Sequence, residues 1–344
     1  MQIQNNAQLR SYHTFGINQH CHALVEVHSV DDLIEVYQHP EWQSLPKLML
    51  GKGSNMLFTA PFEGVVIVNR LGGIEVSDTP TKHKLHISGG EDWPSLVKWC
   101  VEHGYAGIEN LALIPGCSGS APIQNIGAYG IELKDVCSYV DYLCLESLKV
   151  KRLTRQECQF GYRDSIFKHA LKDKAIVTAI GIELEKQWQP NLSYGPLQTL
   201  DLDTVTPKEV FDVVVKVRQE KLPDPAVTGN AGSFFKNPII SHEHYTSLKA
   251  SHDALVAYPA ENGMKLAAGW LIDQCGLKGH QIGGAMVHPN QALVLVNHNE
   301  ATAEDVVRLA AFVRQSVLDK FGVELEHEVR FMGASHEVYL KDVL

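Results

Sequence analysis

The chain has 344 residues, 44% hydrophobic and 20% charged, which is enough for two or three globular cores and ordinary for a water-exposed protein. A formal net charge of −10 argues against non-specific attraction to nucleic acid or anionic lipid, and no apolar run approaches the ~20 residues of a bilayer-spanning helix. Seven scattered cysteines without a Cys-x-x-Cys pair, and 17 histidines without an HExxH pattern, argue against a disulfide framework and a zinc site, so no metal is expected.

In chain order, residues 1–10 lack both the apolar core of a secretory signal and the arginine-rich character of a transit peptide, so a cytoplasmic location is expected. Ala23-Leu-Val-Glu-Val27 alternates like a strand, and Val30-Asp-Asp-Leu-Ile-Glu-Val-Tyr37 has helical spacing behind an acidic start. Lys47-Leu-Met-Leu50 and Val65-Val-Ile-Val68 read as buried strands. Leu85-His-Ile-Ser88 is strand-like, and a helix is expected from about Asp92 to a glycine stop at Gly104, with Leu96, Val97, Cys100 and Val101 on one face. Thr206-Pro-Lys-Glu209 combines an N-cap, a proline at the first helical position and the glutamate of a capping box. It opens a helix that Lys221-Leu-Pro-Asp-Pro225 ends. Further on, the pattern predicts a helix over Lys265-Leu-Ala-Ala-Gly-Trp-Leu-Ile-Asp273, a strand over Ala292-Leu-Val-Leu-Val296 and a long helix from Thr302 to about Phe321. Strands and helices interleave throughout, as in an α+β or α/β protein.

Two segments are rich in glycine and small residues, the composition that lets backbone approach phosphate oxygens closely. They are Gly51-Lys-Gly-Ser-Asn55 and the longer Pro115-Gly-Cys-Ser-Gly-Ser-Ala-Pro-Ile-Gln-Asn-Ile-Gly-Ala-Tyr-Gly130. Met56 stands where a Rossmann fingerprint needs its third glycine, and no G-x-x-x-x-G-K-[ST] occurs, so a different dinucleotide fold is required. Taken alone, the shorter segment reads equally well as a tight turn.

With Leu50-Gly-Lys-Gly-Ser-Asn55, residues 114–130, Phe160-Gly-Tyr-Arg-Asp-Ser165, Gly229-Asn-Ala-Gly-Ser-Phe-Phe-Lys-Asn-Pro238 and Leu325-Glu-His-Glu-Val-Arg330 in this order, the chain resembles the UDP-N-acetylenolpyruvoylglucosamine reductases, the MurB family of peptidoglycan precursor synthesis. The motifs span nearly the whole chain. Tyr194 in Leu192-Ser-Tyr-Gly195, together with the serine form of Gly-Ser-Phe-Phe, resembles the type I branch. The resemblance implies an α+β protein with a vanillyl-alcohol-oxidase (PCMH-type) FAD-binding fold. Two FAD-binding subdomains (1–69 and 70–217) would precede a substrate-binding domain (218–330), with a tail near 331–344 returning to the first. It also implies non-covalent FAD, NADPH as reductant, a small-molecule UDP-sugar as substrate and a monomer.

The reaction so implied reduces an enolpyruvyl ether: hydride reaches the methylene carbon, and the carbon next to the carboxylate then needs charge stabilisation and a proton. By resemblance Ser233 is the proton donor, Arg163 lies at the substrate carboxylate and Glu328 is the catalytic glutamate. Each has a blander reading: Ser233 as a turn or cap, Arg163 as half of a surface pair with Asp164, and Glu326 as the acid in place of Glu328, since both fall on one face of a strand. Tyr194, Lys221, Asn237 and Gln291 are the implied UDP-sugar contacts, where ordinary surface polarity is the competing reading. The implied FAD contacts are Gly51, Gly53, Ser54 and Asn55 in the first segment. In the second they are Pro115, Gly116, Gly119, Ser120, Ile123 and Asn125, followed by Gly127, Ala128, Tyr129 and Gly130. An oxidase of the same flavin superfamily and a non-catalytic UDP-sugar or flavin-binding module are the alternatives.

Overall fold

In a computed structural model that describes residues 1–343, the chain folds into two compact units, each assembled from separate stretches of sequence. The first comprises Met1–Asn5, Ala23–Lys52 and Val65–Glu220; the second comprises Asn6–His22, Gly53–Gly64 and the chain from Lys221 on.

Two sheets have most of their residues in the first unit. One has the strand order Gln2–Gln8, His20–Val27, Phe62–Asn69, Lys47–Leu50. Its inner strand Phe62–Asn69 is buried at every position except Glu63, the near-continuous apolar run of a strand covered on both faces. The helix Val30–Gln38 begins where Ser29 accepts a hydrogen bond from Asp32 N, with Asp31 and Asp32 in its first turn favourable to the helix dipole. Its Leu33 and Val36 pack with Val25, Val65 and Ile67.

The second sheet is antiparallel, in the order Lys149–Thr154, Cys137–Cys144, Ala175–Glu185, Lys82–Ser88, Ile74–Asp78. Two helices supply apolar faces to its core. Trp93–Glu102 is capped by Asp92 and buries Trp93, Leu96, Val97 and Cys100. Pro207–Lys221 buries Val210, Val214 and Val217 behind the expected capping box, in which Thr206 N donates to Glu209 and Glu209 N to Thr206 Oγ1. Each valine or leucine so buried contributes about 1.5–3 kcal/mol.

The second unit is built around the helix Ala303–Phe321, which starts in a Thr302/Asp305 capping box and ends at Gly322 in the left-handed conformation. Val306, Leu309, Val313, Val317 and Phe321 of this helix pack with Phe15, Leu57, Phe234 and Phe331. Three small sheets surround that core. In one of them the short strand Met56–Phe58 runs parallel to Arg330–Met332, across more than 270 residues of sequence.

Two expected elements differ from what the periodicity suggested. The helix expected from Lys265 begins at Ala268, because Lys265 and Leu266 are engaged as strand residues opposite Tyr258 and Ala257. The expected strand 292–296 contracts to Leu295–Asn297, because Val294 N donates to Gln291 O and closes a turn over the first half of the run.

Candidate functional site

In the first unit the glycine-rich segment 115–130 is shaped mainly by its own backbone. The N–H groups of Ser118, Gly119, Ser120, Ala121, Ile123, Asn125 and Ile126 all donate to carbonyls of the protein. Ser120 Oγ accepts from Cys117 N and donates to Cys117 O, locking that turn, and Gly116 O accepts from Trp93 N at the start of the Trp93–Glu102 helix. Gly119 lies against Gly89: a Cβ there would stand 2.7 Å from Gly89 O. The two glycine segments meet at Gly51, where a Cβ would stand 2.5 Å from Cys117 Sγ. Beside this contact Lys52 pairs with Asp92 at 3.3 Å. Burial opposes ionisation of Asp92, but the hydrogen bonds from Ser95 and the charge of Lys52 outweigh it and hold the carboxyl below its usual range.

Asn125 is fully buried at φ 44°, and its amide is engaged three ways: with Gly161 O at 2.9 Å, Glu132 Oε2 at 3.2 Å and Lys134 N at 3.0 Å. It therefore ties the glycine segment to the Gly161–Ser165 motif, as does Ser165 Oγ, which donates to Ile123 O. Beyond it the chain makes a hairpin, pairing Gly127 with Glu132 and Ala128 with Ile131. Its two turn residues, Tyr129 (φ 48°) and Gly130 (φ 84°), are both left-handed, as a tight hairpin of this twist requires. Asn110 Nδ2 donates to Tyr129 O and Asn191 Nδ2 to Gly130 O, clamping the tip.

Arg163, itself at φ 53°, donates from Nη2 to Gly127 O at 3.0 Å, which fixes its guanidinium against the hairpin. Both oxygens of the neighbouring Asp164 meet His169 Nε2, at 2.9 and 2.8 Å. Tyr194 is 50% exposed and sets its ring edge-on to Tyr129 at 6.0 Å. Burial, offset in part by the charge of the Tyr129 phenol, lowers the pKa of Arg218 from the usual guanidinium value. Burial likewise pushes the Tyr129 hydroxyl up, with Arg218 opposing. Arg163 and Tyr194 thus meet one glycine hairpin, at Gly127 and at Tyr129. Arg218, next to the buried Val217, has its Nε buried without a hydrogen-bond partner among the described residues.

In the second unit the loop 53–55 is anchored by close approach. Gly53 has φ 58°, a Cβ on it would stand 2.5 Å from His13 Cα, and its carbonyl accepts from Thr14 N. Ser54 follows it. Asn55 bonds through its backbone oxygen to Arg330 N and through its side chain to Glu328 O at 3.3 Å.

Ser233 precedes a stretch that runs beside residues 326–328: Lys236 N donates to Glu326 O, Phe235 bridges His327, and Glu328 N donates to Phe234 O. That register puts Glu328 opposite Phe234, next to Ser233. It puts Glu326 beside Lys236 instead, where the two side chains form a 3.1 Å ion pair with the Glu326 carboxylate 75% exposed. Asn237 and Gln291 lie at the start of the helix Ala268–Gln274. Asn237 Oδ1 accepts from Ala268 N at 2.9 Å, and Gln291 Oε1 is the atom nearest a Cβ built on Gly269. Lys221 is exposed at the end of the Pro207–Lys221 helix.

The groups in the first unit suit an anionic dinucleotide. The Arg163 guanidinium and two tyrosine rings gather on the hairpin, and the glycine segments touch where any side chain would part them. Among the described residues there is no group of His, Cys, Asp and Glu that could hold a metal ion, and no helix is long and apolar enough to cross a membrane.

Two family profiles match the chain: UDP-N-acetylenolpyruvoylglucosamine reductase, C-terminal domain, over residues 224–332, and FAD binding domain over residues 21–147. A protein of Vibrio cholerae serotype O1 named UDP-N-acetylenolpyruvoylglucosamine reductase is 63% identical over 341 residues, covering 99% of this chain and 98% of its own. One of the same name from Escherichia coli O6:H1 is 54% identical over 334 residues, covering 97% and 98%. The crystal structure of UDP-N-acetylenolpyruvylglucosamine reductase from Thermus caldophilus matches with a TM-score of 0.69 at 23% identity, over 96% of this chain and 99% of that one, a likeness of fold.

Proposed function

The chain belongs to the UDP-N-acetylenolpyruvoylglucosamine reductases, and from that membership we propose that it carries out the NADPH-dependent reduction of UDP-N-acetylglucosamine enolpyruvate to UDP-N-acetylmuramate, a step of peptidoglycan precursor synthesis. It is an FAD-dependent oxidoreductase. The observation that carries the reading is the identity to reductases of this name over nearly every residue of both chains. An oxidase shares at most the fold, and the family membership leaves no reason to prefer a non-catalytic binding module.

When bound, FAD, held by residues 51–55 and 115–130, would supply the hydride chemistry between NADPH and the methylene carbon of the substrate. Ser233 then gives its proton to the carbon bearing the carboxylate. The Ser233 backbone is positioned by its neighbour Phe234, whose N–H donates to Leu293 O and whose carbonyl accepts from Glu328 N. Glu328 follows as the acid that serves Ser233: its N–H donates to the carbonyl of Phe234, the residue after Ser233, while the Glu326 carboxylate is paired with Lys236. Arg163 holds the substrate carboxylate and spreads the negative charge that develops there over a planar guanidinium, pre-oriented by its bond to Gly127 O. Tyr194, Lys221, Asn237 and Gln291 hold the UDP-sugar. Residues 51–55 and 115–130 line the FAD, within FAD-binding subdomains 1–69 and 70–217, and 218–330 forms the substrate-binding domain. On the same footing the enzyme is a cytoplasmic monomer that engages small molecules and no nucleic acid.

The test separates two half-reactions. Purified protein is expected to be yellow, to bleach with NADPH without oxygen, and to regain colour on anaerobic addition of the enolpyruvyl substrate. Colourless protein inert to NADPH would overturn the reading. Ser233→Ala is expected to bleach at the normal rate and to recolour at least ~10²-fold more slowly, the usual loss on removing a general acid. Equal slowing of both phases would remove Ser233 from the proton-donor role.

A further inference from the structure

No hydrogen bond holds Ser233 itself: among the described residues none is made by its N–H, its carbonyl or its hydroxyl. Its position is set from either side. On the C-terminal side Phe234 is fully buried against Phe15, Phe235 and Phe331, and its N–H and carbonyl bond to Leu293 O and Glu328 N. On the N-terminal side stands Gly232, at φ 74° with nothing within 4 Å of an added Cβ. No side chain packs it in place, and glycine has more backbone freedom than any other residue. The bond that restrains it comes from Asn230, whose Oδ1 accepts from Gly232 N at 2.9 Å.

Asn230 is only 4% exposed, and its carboxamide is fully engaged. Nδ2 donates to Pro223 O at 3.2 Å and to Thr228 O at 2.9 Å, which uses both of its hydrogens, while Oδ1 takes the Gly232 N–H. The network fixes which way the amide points, because the flipped form would set NH2 against the Gly232 N–H and oxygen against two carbonyls. The backbone of Asn230 is held independently: its N–H donates to Thr14 O at 3.0 Å, and its carbonyl accepts from Thr14 Oγ1 at 2.6 Å. Gly229 before it is pressed on Phe15 O, where a Cβ would stand 2.3 Å away. A firmly held residue thus aims its one side-chain acceptor at the glycine next to Ser233.

We propose that Asn230 is a positioning residue for the proton transfer: by holding Gly232 N, its Oδ1 sets the place of Ser233 relative to the substrate carbon that receives the proton. The proposal deepens the reading above and rests on it for the role of Ser233. A group misplaced by about 1 Å loses on the order of 10² in rate, so the bond acts on the protonation phase and leaves hydride uptake from NADPH alone.

The experiment applies the anaerobic colour assay to the holoenzyme in Ser233→Ala, Asn230→Ala, the double variant and Asn230→Asp, with melting temperatures alongside. Asn230→Ala is expected to bleach at the wild-type rate and to recolour at least ~10-fold more slowly. Gly16→Ala, which carries only a conformational cost in the same unit, controls for lost stability and is expected to recolour normally. In the double variant, recolouring is expected to slow no more than about twofold beyond Ser233→Ala, since a residue that acts through Ser233 has nothing left to position. Asn230→Asp keeps the acceptor for Gly232 and loses the amide donors. A carboxyl buried against Pro223 O and Thr228 O has its pKa raised, and its protonated form regains one donor. Its recolouring rate relative to wild type is therefore expected to rise as pH falls from about 8 to 6, while that of Asn230→Ala stays flat.

Wild-type recolouring in Asn230→Ala would overturn the proposal. So would equal slowing of bleaching and recolouring, the same slowing in Gly16→Ala, or a further loss of about tenfold in the double variant. Failure of both Asn230→Ala and Asn230→Asp to fold would also overturn it, making Asn230 a residue of the fold alone. If Ser233→Ala slowed both phases equally, the proton-donor role would fall and the proposal with it. A selective Ser233→Ala beside a silent Asn230→Ala would sink the proposal by itself.

Discussion

Replacing Gly53 by alanine tests whether the first glycine segment is held open by backbone contact. Gly53 sits at φ 58°, and a Cβ on it would stand 2.5 Å from His13 Cα, His13 Cβ and Tyr12 O. The left-handed conformation alone costs an L-residue about 1–2 kcal/mol. The overlap is with main chain, which no rotamer change relieves, and overpacking of this kind adds about 1–3 kcal/mol. Gly16 in the same unit is the control: its φ is 64°, but nothing lies within 4 Å of its added Cβ, so only the conformational cost applies. With ~2–4 °C of melting temperature per kcal/mol in a unit of this size, Gly16→Ala is expected to lower the transition by roughly 5 °C. Gly53→Ala should lower it by roughly 10 °C or more. Circular-dichroism melts of the two variants, with flavin content read from the visible spectrum, provide the comparison; Gly53→Ala is also expected to lose FAD while Gly16→Ala keeps it. Indistinguishable melting temperatures would refute the close-approach argument.

Asn125→Ala removes three buried hydrogen bonds and places a non-glycine, non-asparagine residue at φ 44°, so a destabilisation of about 2–4 kcal/mol is expected, read by denaturant unfolding. A loss below about 0.5 kcal/mol would show that the amide does not tie the glycine segment to the 161–165 motif. Glu328→Gln is expected to slow substrate reduction in the anaerobic recolouring assay at least ~10²-fold while Glu326→Gln leaves it near normal, since the Glu326 carboxylate is exposed and paired with Lys236. The reverse order would exchange their roles. For pH, burial is the leading cause that holds both His13 and His327 below the ordinary value of 6.5. The folded state therefore binds fewer protons than the unfolded one below about pH 6.5, and stability present above that value is lost as pH falls through it towards the folded pKa values. The melting temperature is expected to drop between about pH 7.5 and 5.5, less steeply in His13→Gln. A rise on acidification would contradict the burial of neutral histidines.

Much of the fold was legible because its signals are local. Ser29, Asp92, Thr206 and Thr302 cap helices with groups two or three residues away, and the apolar spacing behind them reports which helix face is buried. The glycine segments were legible for the same reason, since left-handed turns and close backbone contacts demand glycine wherever they occur. Partners distant in sequence decided the rest. Lys265 and Leu266 look helical until strand pairing with Tyr258 and Ala257 claims their backbone. Glu326 and Glu328 share an alternation pattern, and only the register against residues 234–236 sets one opposite Lys236 and the other opposite Phe234, the residue after Ser233. Asn125 reads as one more polar residue in a loop until Gly161, Glu132 and Lys134 surround its amide. The sequence by itself determined where helices start, where the chain bends sharply and which family's motifs it carries. Which polar groups are satisfied inside the protein and which, like Arg218 Nε, are left without a partner among the described residues depends on hydrogen bonds across tens to hundreds of residues, and only the tertiary structure decides those.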